Sequence, residues 1–245
     1  MQVGRADAQA HAEGAPKLPD LKVEAVELEG VEWLQVLAEF KADSALDILP
    51  PALHPTVPAV VSWLVYRCAD SPWGGFSLAQ TRIECRSGTR PRVLLMGGVI
   101  DNAKAGEALA RGWGFRVRAG EIDFRRGYDG SDVQVRQDGN EILSIGLRRP
   151  VMLPPEVVQL VSSLHPAITP RGYRLVQVDP VYRLERAERG DPYLDEFDAT
   201  AWGDERIEPH YLVSAAVGVA NVTLSKLRYL CRPDELAFSG TEPVD

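Results

Sequence analysis

The sequence predicts a single α+β domain in which a curved antiparallel sheet, barrel-like in its curl, closes around a cavity and carries a few short helices. Three observations lead there. Segments of two-residue alternation recur along most of the chain, turn signals rich in Gly, Pro and Asp separate them, and helical periods are confined to short stretches. The order of elements lacks the strand–helix alternation of a parallel sheet. At 245 residues, 45% hydrophobic and 25% charged, the chain is long enough for one substantial core and falls within the size of a single α+β domain.

Residues 1–20, rich in Ala, Gly, Asp and Pro and without a period, read as a mobile tail, which leaves 21–245 as the domain. The run VEWLQVLAEF (31–40) fits strand or helix by period alone. Asp43-Ser44 is expected to cap a short helix through Ile48, ended by Pro50-Pro51. Residues 57–68, 75–86 and 90–100 read as neighbouring antiparallel strands, with turns at Ser71-Pro72 and Ser87-Gly88. Asp101-Asn102 then caps a helix that is expected to stop at Gly112. The stretch WGFRVRAGEIDFRR continues as one strand to a turn at Gly127–Gly130. Asp138-Gly139-Asn140 is the strongest hairpin signal in the chain. Pro154-Pro155 opens an expected short helix. Residues 173–188 give two alternating strands broken at Pro180, an acidic loop is expected over 190–209, and the remainder is strand-rich with a possible helical turn near Asn221.

A net charge of -8 argues against nucleic acid or an anionic membrane as partner, since either needs a basic stripe. Cys68, Cys85 and Cys231 are odd in number, far apart and without zinc spacing, which suits reduced thiols in a cytoplasmic protein. The first residues lack the apolar run of a signal peptide, and no segment is long and apolar enough to span a bilayer. His54, His165 and His210 lack metal-ligand spacing. The acidic cluster from Asp195 to Glu208 reads as a solvated loop before it reads as a divalent-ion site. No metal or cofactor is expected.

The segment DNAKAGEALARGWGFRVRAGEI (101–122) resembles the signature of the acetoacetate decarboxylase family: an acidic turn, a short Ala-rich helix, then Trp-Gly-Phe followed by Pro-Lys-Lys. Residues 40–55, 166–187 and 211–225 are similar to further stretches of that family in the same order, so the resemblance covers most of 31–232. It implies the family's fold, a homo-oligomer and a small organic acid or keto compound as ligand. In the family, the first lysine of Pro-Lys-Lys forms an imine with a β-keto acid and its neighbour lowers that lysine's pKa. Here Arg116 aligns with the proline, Val117 with the imine-forming lysine and Arg118 with its neighbour. Leu78 falls where the family keeps a pocket acid, and Trp33 on or near its arginine. Valine has no nucleophile and arginine stays protonated, so the resemblance implies the fold without the Schiff-base chemistry.

Arg116 and Arg118 are the catalytic candidates, as a clamp for a carboxylate or enolate on one face of a strand whose other face carries Val117. A solvated strand face or an interface salt bridge is the simpler account of the pair, and register decides between the two. Phe76, Leu78, Gln80, Arg82, Trp113, Phe115 and Val117 are the candidates for substrate contact, although core packing accounts for any one aromatic. Lys226 is the candidate for a displaced amine carried inward on its strand. Three readings follow: an enzyme working without a Schiff base through cyclisation, dehydration or related lyase chemistry; a small-molecule-binding protein without catalysis; and a decarboxylase with a displaced lysine. A sealed interior would count against the first.

Overall fold

The computed structural model describes residues 2–244. The ambiguous run is a strand, Val26–Phe40 (β1), and its inner length from Trp33 to Val36 is buried on both faces, which is why a period of two is absent from its sequence. Ala42–Ile48 (α1) follows. Its N-cap is Lys41, with no side-chain cap; Asp43 lies inside the first turn, where it complements the helix dipole. Then come His54–Pro55 (β2), Val60–Cys68 (β3), Phe76–Ser87 (β4) and Arg90–Ile100 (β5). Ala103–Trp113 (α2) is capped by the Asn102 side chain, which accepts from the Lys104 and Ala105 N–H groups. This helix runs past Gly112, and Gly114 closes it at φ 72°, the left-handed geometry a glycine adopts without strain.

The stretch expected to form one strand is two, Val117–Ala119 (β6) and Glu121–Arg126 (β7). Gly120 separates them, and a Cβ there would lie 2.5 Å from Val99 Cγ1. Gly130–Gln137 (β8) and Asn140–Leu153 (β9) form the expected hairpin, with Asp138 and Gly139 at φ 52° and 81°, as a type I′ turn needs. After Pro154 there is only a single 3-10 turn, Pro155–Val157; the residues that follow include the β-branched Val158 and Val161, which favour a helix less, and lead into Ser163–Thr169 (β10). Gly172–Val178 (β11) and Val181–Phe197 (β12) flank Pro180. The front of the acidic stretch therefore belongs to a strand, where Asp191 pairs with Arg149; only the residues between β12 and the next strand form the loop. Pro209–Leu224 (β13) includes Asn221, which is not helical: its side chain accepts the Gly30 N–H, 2.8 Å, at a bulge in β1. Tyr229–Cys231 (β14), Ala237–Gly240 (α3) and Thr241–Pro243 (β15) complete the chain.

The fifteen strands of the described residues share one sheet, ordered β15-β14-β11-β10-β5-β4-β3-β1-β13-β12-β9-β8-β7, with β2 and β6 paired to β4 and β5. Most pairings are antiparallel; β5 with β6 and β5 with β10 are parallel. Bulges in β1, β5, β9, β12 and β13 curl the sheet strongly, but its edge strands β15 and β7 do not pair. The expectation of a barrel is thereby corrected to an open, curled, mixed sheet.

The curl creates two apolar cores back to back. One holds Leu34, Val36, Trp63, Ile145 and Trp202. The other, covered by α2, β10 and β11, holds Trp33, Tyr66, Leu78, Leu109 and Phe115. Central strands serve both, which explains their continuous apolar sequence. Cys68, Cys85 and Cys231 are free and buried. The stretch expected to trail as a tail runs back across the domain: the Gly4 N–H donates to Leu53 O at 2.8 Å, the His11 ring bonds Ile48 O at 2.8 Å, and Leu18, 2% exposed, donates to Ile168 O. Leu18 and Leu21 supply the apolar anchor that composition alone obscured. Among the described residues, no helix is long and apolar enough to cross a membrane, and no His, Cys, Asp and Glu cluster has metal-binding geometry.

Candidate functional site

Helix α2 ends against the sheet and the chain then passes along the edge of β5, which fixes residues 115–119. Val117 lies opposite Gly98 across the parallel β5–β6 pair and packs against the core that contains Leu78 and Trp33. Gly98 and Gly106 provide its space: added Cβ atoms there would lie 3.1 and 3.7 Å from its methyl groups. Arg116 and Arg118, its neighbours in sequence, reach separate partners. Arg116 Nη2 donates to Glu13 O at 2.9 Å, and Arg118 Nη2 donates to Ala201 O. The two guanidiniums thus tie down the N-terminal stretch and the loop after β12.

Between these two covers lies a cavity of about 410 Å³. Its walls include Pro16, Met96, Phe115, Val117 and Trp202, with both arginines on its rim. Loss of hydration, and then repulsion from Arg116, lower the Arg118 pKa; two like charges held this close gain from an anion between them. No carboxylate or imidazole lines this cavity among the described residues.

On the other side of Phe115, an apolar recess is lined by Leu28, Tyr66, Phe76, Leu78 and Leu109 among others. It offers only about 10 Å³, at most one water's worth, so it is a packed interior. Gln80 and Arg82 continue the same face of β4 and are 3% and 2% exposed. Arg82 stands across from Ser62 on β3 and Leu95 on β5. Its Nε and Nη2, Trp33 Nε1 and Glu84 Oε1 have no hydrogen-bond partner among the described residues. Burial raises the Glu84 pKa while Arg82 opposes the rise. The Tyr66 and Tyr182 hydroxyls meet at 2.7 Å, and burial raises both phenol pKa values. His165, fully buried, bonds Trp113 O through Nδ1 and Ser163 Oγ through Nε2, at 2.8 and 2.7 Å. Burial, with a smaller push from Arg82, brings its pKa down to about 3, so the ring is neutral.

Of the residues singled out in the sequence, Phe115, Arg116, Val117 and Arg118 therefore meet at one cavity. Phe76 and Leu78 line the packed recess, while Gln80 and Arg82 lie deeper on the same face. Trp113 stands apart, its Nε1 donating to Ser225 O at 2.8 Å and its ring edge-on to Trp73. Lys226 is 61% exposed in its side chain and pairs with Glu24 at 2.7 Å, so its amine is at the surface. Sequence reasoning missed Glu84, although extending the period of two from Phe76 through Arg82 reaches it. It also missed Trp202, which no local signal identifies.

No curated protein matches the chain significantly. Among solved structures, an acetoacetate decarboxylase from Legionella pneumophila superposes with a TM-score of 0.72 at 17% identity, covering 93% of this chain and 97% of its own. An acetoacetate decarboxylase-like enzyme from Sphingomonas wittichii RW1 gives 0.68 at 15% identity, covering 83% and 92%. The enduracididine biosynthesis enzyme MppR, complexed with pyruvate, gives 0.66 at 19% identity, covering 91% of each chain. At these identities the likeness is one of fold. The sequence family described as acetoacetate decarboxylase matches residues 14–196, a span that runs from before β1 almost to the end of β12 and includes both arginines and Val117, and the chain belongs to that family.

Proposed function

We propose that this chain takes a small keto acid, or a related organic acid, into the Arg116–Arg118 cavity and acts on it without an imine. The observation that carries the proposal is that two guanidiniums and Val117, at the position the alignment gives to the imine-forming lysine, line one cavity. A carboxylate would sit between Arg116 and Arg118, with the apolar body of the ligand against Phe115, Met96 and Trp202. The same cations stabilise an enolate that develops next to that carboxylate as the proton from the adjacent carbon passes to water. Such an enolate is the common intermediate of the dehydrations and cyclisations this reading includes. The cavity's volume falls within the range of small-molecule sites. The related MppR structure was obtained complexed with pyruvate, which makes pyruvate a reasonable first ligand. The lyase activity, the homo-oligomer and the cytoplasmic setting implied by the family resemblance belong to this reading.

A second reading, binding without turnover, is favoured by the lack of a titratable base on the cavity wall among the described residues. One experiment separates the two. The protein is incubated with pyruvate, acetoacetate and a larger β-keto acid; thermal shift reads binding, NMR in deuterated water reads exchange at the carbon beside the ketone, and borohydride trapping with intact mass reads imines. Binding with exchange and without adduct is the enzyme reading. Binding without exchange or adduct is the second. An adduct mapped to any lysine, or no binding at all, overturns both.

A further inference from the structure

At the far end of β4 and β5 from Val117, the turn at Gly88, the chain before β14 and helix α3 surround a second cavity of about 340 Å³. Three arginines from two separate segments reach it: Arg90, Arg92 and Arg228. Arg92 is 6% exposed and its Nη1 donates to Asp179 Oδ1 at 2.5 Å. Asp179 is the sole carboxylate on the wall among the described residues, and its other oxygen accepts from Gln177 Nε2 at 2.8 Å. Both of its oxygens are thus engaged. Arg90 and Arg228 are exposed and form no ion pair among the described residues. The cavity carries an excess of positive charge in a chain of net charge -8. On its rim stands Phe238, 89% exposed, with its ring edge 3.8 Å from where a Cβ on Gly88 would lie. Phe238 thus offers this basic cavity a flat apolar face on which the planar part of an anionic ligand can lie.

We propose that this cavity is a second ligand site, separate from the family cavity, for a doubly charged oxyanion carried on a planar group, of which an aryl phosphate monoester is the simplest example. Arg90 and Arg228 hold the oxyanion, with Arg92 fixing the back wall through Asp179, and the planar group lies on Phe238. Arg92 is already neutralised, so the two exposed arginines carry the recognition and the binding weakens with added salt.

The test is calorimetric titration of the full chain with phenyl phosphate at low ionic strength, alongside Arg90→Ala/Arg228→Ala, Phe238→Ala and Arg116→Met/Arg118→Met variants. Each variant's thermal unfolding is recorded first as a check of folding. Saturable binding to the wild type is expected, weakened at least tenfold in Arg90→Ala/Arg228→Ala, weakened in Phe238→Ala, and retained in the Arg116→Met/Arg118→Met variant. Absence of saturable binding to the wild type overturns the proposal, as does equal affinity in Arg90→Ala/Arg228→Ala. Loss of binding in the Arg116→Met/Arg118→Met variant also overturns it, because the phosphate would then be occupying the family cavity.

Discussion

Val117 and Gly98 face each other across the parallel β5–β6 pair, and a Cβ on Gly98 would come within 3.1 Å of Val117 Cγ1 and 3.0 Å of Ala79 O. The glycine therefore leaves an inward-facing position room for a branched side chain and little else. Val117→Lys tests whether the position still supports the chemistry that the family alignment assigns to a lysine there. The introduced amine would lie beside Arg116 and Arg118, whose charges lower its pKa. A borohydride-stable adduct with pyruvate is expected in the variant and none in the wild type, read by intact mass. Stability should fall by about 1–3 kcal/mol, because a longer side chain enters a tight site. A variant that folds but yields no adduct would mean that the cavity does not bring a keto acid to residue 117.

Arg116→Met and Arg118→Met should each weaken binding of a keto acid by roughly 10- to 100-fold, the loss of one charge-assisted contact of about 1.5–3 kcal/mol. Each arginine also bonds a main-chain carbonyl, Glu13 O or Ala201 O, but both side chains remain accessible at the rim. Denaturant unfolding should therefore shift by only about 1 kcal/mol. Equal loss of affinity and of folding would reduce the pair to clamps for the N-terminal stretch and the loop after β12.

Arg82 should behave in the opposite way. It is 2% exposed, with Nε and Nη2 unpartnered among the described residues, and a buried donor without an acceptor costs about 1–3 kcal/mol. Arg82→Met keeps much of the volume and removes the charge, so urea denaturation should show a gain of about that size. Glu84, whose raised pKa Arg82 now opposes, would become still harder to ionise. A loss of stability on substitution would place an acceptor for Arg82 within the folded interior.

The strands and the Asp138-Gly139 hairpin were legible because alternation and turn residues act locally, and the family segment was legible because Trp113, Gly114 and Phe115 stand next to each other in sequence. Less legible were features set by partners far along the chain. The openness of the sheet depends on whether β7 and β15 meet, which no local signal encodes. The acidic residues after Gly190 read as loop, yet Arg148 and Arg149 on β9 draw Asp191 into a strand ladder. That Phe115, Arg116, Val117 and Arg118 share one cavity is in keeping with their adjacency in sequence. What lay beyond reach was their surroundings: Trp202 and the N-terminal stretch, which close the cavity, are brought there only by the tertiary fold.

His165 makes the stability of this fold sensitive to acid. Its pKa falls from 6.5 to about 3 because burial strips the imidazolium of water, and its two ring nitrogens are committed to Trp113 O and Ser163 Oγ. The unfolded chain binds a proton at this residue below about pH 6.5, while the folded chain stays neutral down to about pH 3. Protonation thus favours the unfolded state throughout that window, and stability falls as pH falls from 6.5 toward 3. The slope contributed by one such group is at most about 1.4 kcal/mol per pH unit. Asp132, Asp204 and Glu188, whose pKa values are held low by arginine or tyrosine partners, lose stability in the same direction at lower pH. The comparison that isolates the histidine is therefore the wild type against His165→Asn, by urea denaturation between pH 7 and 4. The variant should be the less stable at pH 7 and should close most of that gap by pH 4. Parallel curves across the range would mean that His165 carries the same charge in the folded and unfolded chains.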